Sequence, residues 1–199
     1  MEGELNMSKE GKTGVSTNTP KNILFGAGTI HKNLKYTGSA WNFAESLMGA
    51  TSGGSKLSIV PEVQKVEVDG ALVAAKGLTV KTGETATMEI NFIELTKDII
   101  KTATFGTDAV SEDATFDLIE SKAQIVEGDY LENIAFVGKT LEGKTVIAIL
   151  DNALCTSGFE QEGKNKEGTI GKYTFECHAD LDSDLDKLPW HIYYPKATA

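Results

Sequence analysis

The sequence predicts a mainly β chain with one flanking α-helix at about residues 95–104. Three observations lead there. Apolar and polar residues alternate in several short runs bounded by Gly, Asp and Asn, the pattern of half-buried strands between turns. The chain holds 20 glycines and many threonines, which favour turns and strands over helices. And a single stretch, 84–105, changes period part-way. Met88, Ile90 and Phe92 fall on every second position, with Thr87, Glu89 and Asn91 between them. Leu95, Ile99, Ile100 and Ala103 then follow one helical stripe, with Thr96 placed to cap it and Asp98 in its first turn. Ile90, Phe92, Leu95 and Ile99 are expected core.

At 199 residues the chain suffices for one domain with a full core. The expected division is a polar arm at 1–21 and a single domain at 22–199, with a long loop at 37–55 and a C-terminal segment at 180–199. A net charge of −10 argues against gripping nucleic acid through its phosphates, which needs a basic face. No run approaches the roughly 18 apolar residues of a membrane span, and the N-terminal stretch has no apolar core of a signal peptide, so a cytoplasmic start without membrane insertion is expected. Cys155 and Cys177 fit no metal-ligand spacing and read as half-buried thiols on strands.

In chain order, 22–34 reads as a strand interrupted by Gly26-Ala27-Gly28, where a bulge explains the glycines better than a dinucleotide fingerprint. The 37–55 connection carries Trp41, Phe43, Leu47 and Met48 in a polar setting; they either dock on a partner or fold back over the chain's own core. Residues 56–68 alternate and then slip phase near Pro61, predicting a bulge or bend. Asp69-Gly70 is a hairpin signal, with 71–75 as the returning strand of a three- or four-stranded meander. The acidic stretch 106–128 lacks the spacing of a calcium loop and reads as solvated surface. Strands are expected at 131–141 and 144–150, the second apolar on both faces and therefore central. A last hairpin joins 153–160 to 169–179 and brings Cys155 near Cys177. Trp190, Ile192, Tyr193 and Tyr194 near the C-terminus are expected to be tied down on the body or on a neighbour.

No catalytic motif stands out. His31, His178 and His191 are far apart in sequence and form no zinc pair, and there is no nucleophile elbow or phosphate loop. A triad of His178 with a Ser and an Asp stays open, since triads assemble in space. No catalytic residue, metal or cofactor is expected.

The order of four blocks carries a resemblance: a polar N-terminal arm, GATSGGSKLSIVPEVQKVEVDG entering a hairpin, TMEINFIELTKDIIKTA, and the ending KLPWHIYYP. Across about residues 20–195 the chain resembles the major tail tube proteins of long-tailed bacteriophages of Gram-positive hosts, a fold shared with the tubes of contractile injection systems. The resemblance implies a β-sandwich or barrel-like domain with one flanking helix, which joins into six-fold rings stacked as a hollow tube for genome delivery. The implied partners are copies of itself, the tape-measure, tail-terminator and baseplate or distal tail proteins, and genomic DNA passing without specific binding. The implied location is the virion tail, with assembly in the host cytoplasm. On that reading Glu62, Glu67 and Glu89 are candidates to face the lumen and repel phosphates. Trp41, Phe43, Met48, Trp190, Tyr193 and Tyr194 are candidate contacts between subunits or rings. Alternatives are a tail-terminator or capsid-decoration protein of related fold, or a β-sandwich carbohydrate-binding or adhesion module.

Overall fold

A computed structural model describes residues 14–163, 165, 166 and 168–196. Most of the expected arm therefore lies outside the described residues; its remainder, 14–21, is largely exposed and leads into a helical turn, α1 (Thr19–Asn22). Ten strands follow: β1 (Leu24–Lys32), β2 (Leu47–Gly49), β3 (Thr51–Lys65), β4 (Thr79–Phe92), β5 (Thr107–Ala109), β6 (Leu118–Glu120), β7 (Leu131–Thr140), β8 (Thr145–Cys155), β9 (Gly171–Cys177) and β10 (Trp190–Tyr193). One turn of helix, α2 (Phe43–Ser46), precedes β2, and α3 (Lys97–Thr104) follows β4.

Eight strands form one antiparallel sheet in the order β2-β1-β7-β8-β9-β4-β3, with β10 also on β8, while β5 and β6 make a small separate hairpin. β3, at one end of that order, comes back into contact with β1 near the other, so the sheet curls on itself in a sandwich-like fold. Its inner faces meet in one core: Ile30 of β1, Ile134 of β7 and Leu150 of β8 with Met88, Ile90 and Phe92 of β4 and Tyr173 and Phe175 of β9. Each such fully buried side chain stabilises the fold by roughly 1.5–3 kcal/mol.

α3 closes one end of that core with Ile99 and Ala103. The Thr96 side chain accepts a hydrogen bond from the Ile99 amide at 3.2 Å, Asp98 sits in the first turn and pairs with Lys32, and Phe105 ends the helix in a left-handed conformation. Leu95, expected in the core, is exposed, because it precedes the cap and lies outside the helical stripe.

β7 and β8 are buried on both faces, as the apolar run in β8 predicts. On the face away from the main core, Ala135, Ile147 and Ile149 are covered by Leu34, Trp41 and Phe43. Of the two sequence readings of 37–55, folding back is therefore what Trp41 and Phe43 do. The span is also no long loop: it contains α2, β2 and the start of β3. Met48 is buried in the main core and is withdrawn as an exposed contact; at the second position of β2 it points inward.

The glycines of β1 mark a bulge, with the register shifting between Phe25 and Thr29. Gly28 has φ of 68° and lies against Phe136, whose ring would stand 2.4 Å from an added Cβ. The register also slips between Glu62 and Val63, beside Pro61. The expected meander is absent. Asp69-Gly70 does turn, with the Ala71 amide donating to Val68 O at 3.0 Å, but 71–75 forms no strand and β3 pairs instead with β4. Pairing of twelve residues of β3 with β4 overrides the two-residue turn signal.

Candidate assembly interface

The β3–β4 pair divides into two parts. Its inner part, from Ser55↔Ile90 to Ile59↔Ala86, alternates between core and solvent. Its outer part leaves the body: from Val60 to Thr82 every residue is exposed except the half-buried Leu78. Val60, Val63, Val66, Val68 and Val80 are all exposed on this arm, and at its tip Leu72 and Val73 are 99% and 80% exposed. A lone two-stranded ribbon is at best marginally stable in water, and this one carries uncovered apolar side chains at its tip.

The arm is tied to the C-terminal segment at its root. Glu84 turns inward, accepting from Trp190 Nε1 at 3.1 Å and pairing with Lys81 at 3.0 Å, and these two donors hold its carboxyl below the usual range, Lys81 having the larger effect. Trp190 is thereby half-buried. Tyr193 and Tyr194 remain exposed; Tyr193 meets Trp41 edge-on at 5.0 Å, and the Tyr194 hydroxyl donates to Asn22 Oδ1 at 2.9 Å. Trp41 also lies 5.5 Å from Tyr36, so three aromatic rings cluster on the outer face of the sheet.

The solvent face of β3, β4 and β9 is polar. Parity along the strands puts Lys56, Ser58, Val60 and Glu62 of β3, Thr85, Thr87, Glu89 and Asn91 of β4, and Lys172, Thr174 and Glu176 of β9 on one surface. Glu62 and Glu89 share this face, while Glu67 lies in the arm beyond the last strand residue. Glu89 is not an isolated charge: Lys56 Nζ stands 2.6 Å from its carboxylate. The surface mixes Glu62, Glu89 and Glu176 with Lys56 and Lys172, where the sequence drew attention to carboxylates alone.

No protein-family model matches this chain, and no curated protein does.

Two polar clusters escaped the sequence reading. His31 is buried, with Nε2 2.8 Å from Thr29 Oγ1 and Nδ1 2.9 Å from Ser46 Oγ, and burial pushes its pKa below the ordinary value. Both ring nitrogens are occupied and Ser46 is closed from solvent, so the pair braces α2 against β1 and presents no accessible nucleophile. The spacing of fifteen residues gave no signal in the sequence. Second, His191 Nε2 stands 2.9 Å from Asp151 Oδ2 where β10 joins β8, and burial of Asp151 raises its pKa against the lowering effect of His191. His178 Nδ1 meets Glu176 O at 3.0 Å and its ring packs on Tyr130.

Cys155 and Cys177 are free and buried. Cys177 lies opposite Ala153, so the two sulfurs belong to diagonal positions on one face of the β8–β9 pair. Desolvation raises both thiols, Cys177 to about 12, leaving them protonated and unreactive. Among the described residues there is no group of three His, Cys, Asp or Glu able to hold a metal ion, and no helix long and apolar enough to cross a membrane.

Proposed function

We propose that this chain is the building block of a hollow protein tube: a structural virion protein that polymerises into stacked rings forming a phage tail tube. The observation that carries the reading is the β3–β4 arm, a ribbon projecting from a well-packed body with Leu72 and Val73 uncovered at its tip. Among the described residues nothing covers that tip, and on this reading a neighbouring copy would. The outer edge of β3, at the far end of the sheet order and without a partner strand among the described residues, supports the same reading, since an edge offers its hydrogen-bonding groups to another strand. Ring closure would remove such edges, and repeated head-to-tail stacking would give an open filament. The six-fold order, the genome as cargo and the tape-measure, terminator and baseplate partners rest on the resemblance alone.

On this reading the mixed face of β3, β4 and β9 is the surface offered to the lumen, with three carboxylates against two ammonium groups. A slight acidic excess repels phosphates while the lysines keep local repulsion low. A carbohydrate-binding module is the reading that the Tyr36–Trp41–Tyr193 cluster favours, but those rings are inclined at 57° and 72° to one another and make no flat stacking platform.

Negative-stain microscopy of the purified chain at high concentration decides the matter. Rings or tubes with a central channel are expected; a persistent monomer at high concentration and with a tail initiator present would overturn the proposal.

A further inference from the structure

β9 and β10 occupy the same edge of β8. Ala153 faces Cys177 at the end of β9, and Leu150 faces Trp190 at the start of β10. Along β8 that is a step of three residues; along the partner it is a step of thirteen, so ten residues are looped out of what is otherwise one continuous edge strand. The gap is about 10 Å at strand spacing. His178 and Leu188 are held at the ends of this stretch, and the residues between them, 179–187, reach about 30 Å when extended.

The loop is weakly held. Its hydrogen bonds between Asp180 and Lys187 all close within the segment: the Ser183 amide to Asp180 O, the Lys187 amide to Asp184 O, and the Asp186 amide to Asp184 Oδ1. Asp180, Asp182, Asp184 and Asp186 alternate along it, and such like charges favour an extended chain. Leu181 and Leu185 are 91% and 64% exposed, uncovered by the body they border. β10, by contrast, is held by specific partners: the β8 edge, Asp151 for His191, Glu84 for Trp190 and Asn22 beyond it for Tyr194. Every one of these partners is present, in the same arrangement, on a second copy of the chain.

We propose that β10 is an exchangeable strand, seated on its own β8 in the single chain and on the β8 of a neighbouring copy in the assembly, with 179–187 as the hinge, between His178, whose carbonyl accepts from Asn152, and Leu188, which packs on the main core. The partner is a second copy of this chain, and the exchange requires no particular ring geometry. It replaces each contact of β10 by an identical one, so its cost is low, and it stretches the surplus loop across the junction between subunits, where Leu181 and Leu185 gain cover.

Cross-linking tests it. Ala148 and Ile192 face each other in a non-hydrogen-bonded pair, since the Asp151 amide donates to Pro189 O at 3.0 Å and bonded pairs recur at every second position from there. Such a pair has the close approach a disulfide needs. Chains carrying Ala148→Cys alone and Ile192→Cys alone are mixed at high concentration and oxidised, then run on a non-reducing gel, beside a chain carrying both substitutions. The expected result is a covalent heterodimer in the mixture and a ladder in the doubly substituted chain, both lost when residues 180–187 are deleted, which leaves a four-residue link long enough for the gap of about 10 Å within a chain and too short to reach a neighbour. A doubly substituted chain that closes only on itself, with no heterodimer in the mixture, overturns the exchange; so does a ladder that survives the deletion. Microscopy on the same samples separates this from the tube reading: tubes whose disulfides are all within chains would sink the exchange alone, and interchain disulfides without rings would sink the tube alone.

Discussion

β4 passes through two environments within fourteen residues. From Ala86 to Phe92 it alternates buried Ala86, Met88, Ile90 and Phe92 with polar residues facing solvent, and the sequence shows that alternation plainly. From Thr79 to Thr82 the same strand continues with the same partner and the same ladder, yet none of its residues is buried. The inner half is paired on both edges, with β3 and, from Thr87 to Phe92, also with β9, and has a core beneath it; the outer half is paired with β3 alone and has no core. Pairing with β3 alone therefore extends the ribbon, while a second partner strand and apolar burial together anchor its inner part.

That contrast can be broken from either side. The largest effect is expected from Phe92→Ala, which opens a cavity beside Tyr173 and should lower stability by roughly 3–5 kcal/mol in chemical denaturation. Thr96→Ala removes the α3 cap and is expected to lower stability by about 1 kcal/mol by the same measurement. At the arm tip, Leu72→Ser with Val73→Ser should change unfolding by no more than about 0.5 kcal/mol, because both side chains are already in water, and should abolish assembly in microscopy. A large fall in the unfolding midpoint would show that the tip belongs to the folded body after all. Glu89→Lys loses an exposed ion pair with Lys56 and should shift stability by about 0–1 kcal/mol, with its effect read in DNA passage through assembled tubes.

Acid offers a further separation of body from arm. Burial depresses the pKa of His31 in the folded chain, so the unfolded chain takes up a proton that the folded chain refuses. The associated stability is fully present above about pH 6.5, the ordinary histidine value, and is lost as pH falls from there toward the folded pKa. Denaturation midpoints of the unsubstituted chain minus those of His31→Gln should decline between pH 7.5 and 5.5; a flat difference would contradict a buried neutral imidazole. Asp151 acts with the opposite sign and at lower pH. Its raised pKa makes the folded chain the better proton binder, so its contribution falls as pH rises through the carboxylate range.

What the sequence made legible were features that local chemistry specifies. The change of period after Phe92, the Thr96 cap, the two-faced burial of β8 and the phase slip beside Pro61 all appear where expected. What it hid depends on distant partners. The Asp69-Gly70 turn is real, but the strand that answers β3 begins at Thr79, because twelve paired residues outweigh one favourable turn. Met48 and Leu95 exchanged their expected places: Met48 falls on the inward position of a three-residue strand no pattern could reveal, and Leu95 precedes its helix. Of the candidate contacts, Trp41, Phe43 and Trp190 are partly used up within the chain, leaving Tyr193 and Tyr194 exposed. The collinearity of β9 and β10 had no sequence signal, since only the shared partner β8 reveals it.

The pairing of β1 with β7 has a consequence in time. Lys32 and Ile134 are partners separated by more than a hundred residues, so on a ribosome adding about 5–20 residues per second β1 waits about 5–20 s for the strand that covers it. The β3–β4 ribbon, whose partners are close in sequence, can zip up during that wait. Both strands of the arm are thus synthesised, and free to sample their pairing, while the sheet that will anchor them is still open.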